Sequence, residues 1–336
     1  MEQAPTKTDK RLIIAIKMPD PLLERMMAIP AIHLIREAYP DADLHFISSE
    51  HKIELLYSLP FEGFWHPWLD EEIKSVLDVH RFVTFLTLGE VDIFVSLGQS
   101  LNEVCLGWLL GAKKRIGFAE GWKGWFLTLP VKKPSGFHLS EDYQYLFKEF
   151  TNRRIPETFK VKSREMLPYF QDEKSYLAVD LWPFPPGKMD DFWIEFFNQF
   201  TEKKFVLFFS EDEGKAALLV ERFVQKLSDK NTYEIFTKSN LIEMGKMLAQ
   251  AKGVVSRNSF INSYATYLGT DALCIYESGE PRLDAPIPFF ANWQIMDLRD
   301  MTSGHPTTAV ESVAVKARPQ VDPFALYQQV IQMFYF

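Results

Sequence analysis

Short apolar runs alternate with stretches of helical period along almost the whole chain. Residues 11–17, "RLIIAIK", carry the continuous apolar pattern of a buried strand, and "LLERMMAIPAIHLIREAYP" behind them has the spacing of a helix. "DADLHFIS" and "VDIFVSL" predict further strands, "LNEVCLGWLLGA" a helix, "KRIGF" a short strand and "HLSEDYQYLFKEF" another helix. The pattern breaks over residues 151–175. It restarts with the strand "SYLAVDLW", the helix "MDDFWIEFFNQF", the strand "KKFVLFFS" and the helix "GKAALLVERFVQKLS". "TYEIFTK", "NLIEMGKMLAQA", "KGVVS" and "DALCIYE" continue it, and "PFALYQQVIQMFYF" predicts a final amphipathic helix.

Strands separated by helices imply parallel sheets with helices on both faces. A chain of 336 residues exceeds what a single core ordinarily serves, so two Rossmann-like halves of an α/β protein are expected. Such sheets bind ligands at the carboxyl ends of their strands. The loops after "IIAIK", "VSLGQ", "AVDLW", "LFFS", "VVS" and "CIYE" are therefore expected to gather around one cleft between the halves. No short repeat or low-complexity tract interrupts the alternation.

Composition changes this picture little. Hydrophobic residues at 47% and charged residues at 24% are ordinary for a globular protein, while 29 Phe and 8 Trp predict aromatic-rich cores or grooves. The two cysteines, Cys105 and Cys274, lie in apolar stretches and are expected as buried, reduced thiols, which fits a cytoplasmic protein. No run approaches a membrane span, and "MEQAPTKTDKR" has no signal-peptide core, so a soluble chain is expected, with contact at a membrane surface left open.

The net charge of −8 argues against broad nucleic-acid binding. The acids are in excess mainly in the second half. Residues 113–133 instead hold six basic side chains, Lys113, Lys114, Arg115, Lys123, Lys132 and Lys133, against Glu120 alone. This segment is either a solvated face or a site for an anionic ligand.

Several chemistries find no support. There is no GxGxxG after the first strand, no GxxxxGK[ST] and no G-x-S-x-G. Seven His and two Cys show no zinc spacing, so neither metal nor cofactor is expected.

Other stretches carry a resemblance. After the first strand, which ends at Lys17, come Pro30-Ala31-Ile32 and "REAYPDADLHF"; further on stand "VDIFVSLGQSLNEVCLGWLLGAKKRIGF", "GFHLSEDYQYLF" with His138, and "NLIEMGKMLAQAKGVVSRNSFINSYATYLGTDALCIYESGEP". Their layout resembles the lipopolysaccharide heptosyltransferase family, as a divergent member. That resemblance implies a GT-B architecture, two Rossmann-like domains facing across a cleft. The acceptor domain would span 1–165, the nucleotide-sugar donor domain 176–321, and a helix at 322–336 would pack back on the first domain.

The family's Gly-Asp pair, counted back from Pro30, falls on Leu23-Glu24, with one extra residue between Lys17 and Pro30. Glu24 is thereby the implied general base, and Asp20 on the same loop competes with it. Either acid also suits a solvated helix start. The family's Asp-Ser-Gly-Pro-x-His turn becomes Asn258-Ser259-Phe260-Ile261-Asn262-Ser263, in which Asn258, Ser259, Asn262 and Ser263 are candidates for the donor diphosphate or for helix capping alone. Lys188 in "DLWPFPPGKMDDFW" stands about two residues from the family's leaving-group lysine. Lys113, Lys114 and Arg115 are candidates for the acceptor.

The implied activity is inverting, metal-independent transfer of heptose or a related sugar from a nucleotide diphosphate donor, ADP-heptose among them, to an anionic lipopolysaccharide-type glycolipid. It would proceed in the cytoplasm, at the inner face of the inner membrane. The rewritten turn and displaced lysine also suit a catalytically inactive relative with a binding or assembly role, or a changed donor with Phe260 and Trp182 reshaping the pocket.

Overall fold

Five residues with no exposed side chain past the first, Ile13–Lys17, form β1, and everything in the first half is arranged around it. α1 (Leu22–Ala38) follows, then β2 (Asp43–Ser49), β3 (Phe64–Trp68), α2 (Val76–Phe85), β4 (Ile93–Ser96), α3 (Leu101–Leu109) and β5 (Lys114–Phe118). A 3₁₀ helix (Gly121–Phe126), β6 (Leu129–Val131) and α4 (Leu139–Thr151) complete this half. In this computed structural model the described residues are 11–49, 62–69, 71–119, 121–151, 175–181, 189–209, 223–227, 229–237, 241–257, 259–276, 285, 293–297 and 323–334.

The second half runs β7 (Tyr176–Asp180), α5 (Met189–Asn198), β8 (Lys204–Phe209), β9 (Thr232–Thr237), α6 (Leu241–Gln250) and β10 (Ala251–Ser256). It ends with α7 (Ser259–Tyr267), β11 (Ala272–Tyr276), β12 (Trp293–Asp297) and α8 (Pro323–Phe334). The chain divides into two compact units, Met1–Phe159 and Lys160–Phe336.

Among the described residues each unit has one six-stranded sheet, ordered β3-β2-β1-β4-β5-β6 in the first and β12-β11-β10-β7-β8-β9 in the second. All these pairings are parallel. In both sheets the chain winds outward in one direction, returns to the middle and winds outward in the other. The reversals fall between β1 and β4 and between β7 and β10, the places where such sheets open a crevice for ligands.

Alternation along β4 separates the two layers of the first unit. Phe94 packs with Val79 of α2 and Leu106 of α3, whereas Val95 borders Ala31 and Ile35 of α1 and Tyr143 of α4. In the second unit Trp193, Phe196, Phe197, Phe200 and Phe205 meet mostly edge to face, which accounts for the aromatic richness of this half.

Leu326, Val330 and Phe334 of α8 form a stripe at i, i+4 and i+8, and that stripe joins the aromatic core of the second unit. Tyr327 lies against Phe200 at 4.8 Å between ring centroids, and a Cβ at Gly253 would come within 2.4 Å of the Phe334 ring. The apolar face of α8 is thus spent where the aromatic surface of α5 is available.

At one edge of the first sheet, His45 Nδ1 and His66 Nε2 are 3.0 Å apart on neighbouring strands. Burial, reinforced by His45, pushes the His66 imidazole down to about 4, and burial alone does the same to His33. A lowered folded-state value means that the unfolded chain binds protons more readily. Stability from these rings is therefore complete above pH 6.5 and lost as pH falls from 6.5 toward 4. Urea midpoints across that window should decline with falling pH, and His33→Asn combined with His66→Asn should flatten the slope. An unchanged slope in the double variant would remove these rings from the account.

Candidate active site

The carboxyl end of β1, at the first reversal, is built on buried charge. Lys17 pairs in register with Ile47 of β2 and Ser96 of β4, and its ammonium has no solvent exposure. Lys17 Nζ donates to Met18 O at 3.0 Å and Asp20 Oδ1 at 3.0 Å, lies 3.3 Å from Glu103 Oε1, and sits 5.1 Å from the Trp68 ring centroid. A charge so far from water persists only where its donors are matched, and two carboxylates, a carbonyl and an indole face match them here.

Arg25 is equally buried. It donates to Pro19 O at 2.7 Å and Ser49 Oγ at 2.8 Å, with Asp20 Oδ1 3.8 Å away. Asp20 is therefore clamped between two buried cations, and the loop between β1 and α1 is fixed from both sides. Glu103 serves twice, since its Oε2 also accepts from Ser100 N at 2.8 Å while its own N–H donates to Ser100 Oγ, a capping box at the start of α3. A Cβ on Gly98 would come within 2.0 Å of the Glu103 carboxylate, so only glycine lets the loop after β4 pass there.

Glu24 stands apart from this network. It occupies the first turn of α1, whose N-cap is Pro21 with no capping side chain, and its charge complements the helix dipole. Its Oε2 accepts a hydrogen bond of 2.9 Å from Tyr143 Oη on α4, 119 residues further along the chain. Burial first, and then the Glu24 carboxylate, raise the Tyr143 phenol well above its ordinary value, so it remains a protonated donor. His138 caps α4: its carbonyl accepts from Glu141 N and Asp142 N, and its ring lies 2.8 Å from Ser140 Oγ.

The second reversal carries a smaller polar cluster. Asp180 and Ser256, the last residues of β7 and β10, are paired in register and fully buried, and Ser256 Oγ donates to Asp180 Oδ2 at 2.8 Å. Asn262 Nδ2 donates to Ser256 O at 3.1 Å. Asn262 Oδ1 and Ser263 Oγ, in the first half of α7, are buried and have no hydrogen-bond partner among the described residues. Phe260 turns inward, its ring stacked on Tyr264 at 5.7 Å. Lys188, Asn258 and Trp182 lie outside the described residues, as does the Ser259 side chain.

Lys113, Lys114 and Arg115 are not brought to the reversal of their own sheet. They stand at the start of β5, where Lys114 pairs with Ile93, at the opposite end of the sheet from Lys17. Lys113 donates to Asp92 Oδ1 at 2.8 Å, and Arg115 donates to Ala112 O and Phe126 O at 2.7 and 2.8 Å. The guanidinium thus ties the 3₁₀ helix to the sheet edge.

The profile of "Glycosyltransferase family 9 (heptosyltransferase)" matches residues 79–292, well over half of the chain. The chain belongs to glycosyltransferase family 9. Among solved structures, this family 9 glycosyltransferase is similar to the family 9 glycosyl transferase of Veillonella parvula DSM 2008, with a TM-score of 0.77 at 12% identity over 96% of this chain and 97% of that one. It is similar to E. coli heptosyltransferase WaaC with ADP (TM-score 0.68, 14% identity, 84% and 93% of the two chains). It is also similar to E. coli ADP-heptose lps heptosyltransferase II (0.67, 16%, 85% and 90%). The fold is the GT-B fold that these heptosyltransferases share. No curated protein sequence matched the chain. Among its described residues no helix is long and apolar enough to cross a membrane, and no cluster of three or more metal-ligating side chains occurs.

Sequence reasoning singled out Glu24 and Asp20, which the structure places at the carboxyl end of β1 and the start of α1, but it missed Tyr143, Arg25 and Glu103. The spacing of "LLERMM" gives no reason to bury Arg25. Glu103 alone left a trace, as the Ser-x-x-Glu of a capping box in "SLNE".

Proposed function

We propose that the protein transfers a heptose or related sugar from a nucleotide diphosphate donor to an anionic, lipopolysaccharide-type glycolipid, with inversion at the anomeric carbon and no metal ion. The observation that carries the reading is the Glu24 carboxylate, held by Tyr143 at the carboxyl end of β1 in a family 9 chain. Glu24 takes the proton of the acceptor hydroxyl as its oxygen bonds to the anomeric carbon. The bond from that carbon to the donor phosphate breaks, and the nucleoside diphosphate departs with the electron pair.

Asp20 is the weaker candidate because Lys17 and Arg25 already hold its Oδ1. On the donor side, Ser259, Asn262, Ser263 and the N-terminus of α7, with Asn258 and Lys188, would meet the diphosphate charge. Asn262 Oδ1 and Ser263 Oγ, buried without partners among the described residues, support a polar ligand there. The E. coli relatives hold ADP and ADP-2-deoxy-2-fluoro heptose, which makes ADP the first nucleotide to test.

A panel of nucleotide sugars followed by thermal shift and by release of nucleoside diphosphate tests the reading. Stabilisation with turnover supports it. Stabilisation without turnover, for every sugar and acceptor tried, gives way to the inactive-relative reading.

Tyr143 positions Glu24 rather than touching substrate. Tyr143→Phe is expected to lower kcat by about tenfold, the lower range for a hydrogen bond to a charged group. The donor KM should stay near the wild-type value, so that the loss falls on kcat. Loss of stability with an unchanged kcat would make Tyr143 a packing residue only.

A further inference from the structure

A 3₁₀ helix repeats every three residues, so Trp122 and Trp125 of the segment Gly121–Phe126 stand one above the other on the same side. Neither is buried: Trp122 is 56% and Trp125 85% exposed, and Trp108 in the last turn of α3 adds a third indole at 53%. Phe126 joins them, with ring centroids 5.9 Å from Trp108 and 6.4 Å from Trp122, both edge to face. Three neighbouring indoles left in water on one outer face mark a contact surface.

The charge around them suggests what it contacts. Lys123 stands between the two tryptophans, and exposed Lys114 precedes Arg115, whose guanidinium donates to the Phe126 carbonyl. The acids nearest the strand edge, Glu90 and Asp92, are engaged by Lys113. Of the basic side chains of this segment, Lys114 is exposed and Lys123 is half-buried and reaches the Gln99 carbonyl at 3.4 Å, while Lys133 pairs with Asp142. Indoles partition to the headgroup region of bilayers, with the ring among the acyl chains and the N–H toward water, and lysines beside them attract anionic headgroups. An indole 85% exposed, as Trp125 is, has little wall around it to hold a sugar ring but leaves its apolar face available to a headgroup layer.

We propose that Trp108, Trp122 and Trp125, flanked by Lys114 and Lys123, form a docking face for a bilayer containing anionic lipid. The inference rests on the glycolipid-acceptor reading only for its purpose, since such a face would hold the chain where that acceptor lies. Its physical basis is independent of Glu24.

Co-sedimentation of the full chain with vesicles tests it, using phosphatidylcholine alone and phosphatidylcholine mixed with phosphatidylglycerol. The wild-type chain should bind the mixed vesicles, with a blue shift of tryptophan emission, and bind pure phosphatidylcholine weakly. Trp122→Ser with Trp125→Ser should weaken that binding by at least about tenfold, since indole burial supplies the apolar part. Lys114→Glu with Lys123→Glu should remove the preference for anionic lipid. Far-UV circular dichroism confirms folding, which exposed positions tolerate. Equal binding by the tryptophan variant, or no vesicle binding by the wild type, overturns the proposal. So does binding of lipid-free core oligosaccharide that depends on the same tryptophans without vesicle binding. If Glu24→Gln turns over normally while vesicle binding behaves as described, the catalytic reading fails and the docking face stands.

Discussion

Glu24→Gln is expected to lower turnover by about 10²–10⁴-fold, the usual contribution of a general base. Glutamine keeps the size of the side chain and can still accept from Tyr143 Oη, so α1 and α4 should stay packed and the fold intact. What it loses is the capacity to take a proton. Donor affinity should change little, because the candidate donor groups stand on the second unit, at the end of β10 and the start of α7. The measurement is initial rate of nucleoside diphosphate release with acceptor present, alongside thermal shift with ADP. Glu24→Asp restores the residue type of the family motif and should retain part of the activity. Normal turnover by Glu24→Gln together with loss in Asp20→Asn would move the base to Asp20.

The largest stability effect is expected at Lys17. Replacement by Met keeps an unbranched side chain of similar length within the apolar surroundings of Trp68, but removes the cation facing Asp20 and Glu103. Asp20 is partly exposed and can turn to water, with Arg25 still near. Glu103 cannot, since its side chain is 7% exposed. Removing one partner of a buried pair costs about 3 kcal/mol or more, because the remaining charge is left uncompensated. Denaturant unfolding of Lys17→Met should show this loss, and Lys17→Met with Glu103→Gln should recover part of it. A cost under about 1 kcal/mol, in the range of exposed pairs, would mean that Glu103 reaches water after all.

Much of the element order was legible because hydrophobic period is local. β1, β2, β4, β5, β7, β8 and β11 carry apolar runs that no amphipathic surface helix would show. Three strands left no such mark. β3, "FWHPW", is an edge strand with a proline and an exposed first residue, β6 has three residues, and β12 is also an edge strand. Edge strands bury less, so their sequences are less constrained toward alternation. α2, with only Val79 buried, escaped for the same reason.

The site divides along a similar line. Glu24 became a candidate through the family resemblance, counted back from Pro30, and Asp20 as the competing acid on the same loop, both within a short stretch of sequence. The basic run at 113–115 was open to two readings, a solvated face or a site for an anionic ligand, because sequence shows charge and not its partners; the fold places it at the amino end of β5, with Asp92 and two backbone carbonyls as partners for Lys113 and Arg115.

The sequence by itself determined two parallel α/β units, since these follow from period within a few tens of residues, and its family resemblance pointed to the loop that carries the candidate base. Only the tertiary structure decided that β1 lies beside β4, so that Lys17 meets Glu103, and that α1 packs on α4, so that Tyr143 meets Glu24. It also decided that the stripe of α8 belongs to the second core. These contacts join residues 119 positions apart for Glu24 and Tyr143 and comparably far elsewhere. An apolar stripe states that a face must be covered, and a buried charge that it must be paired; which element does so is settled only when competing surfaces pack together.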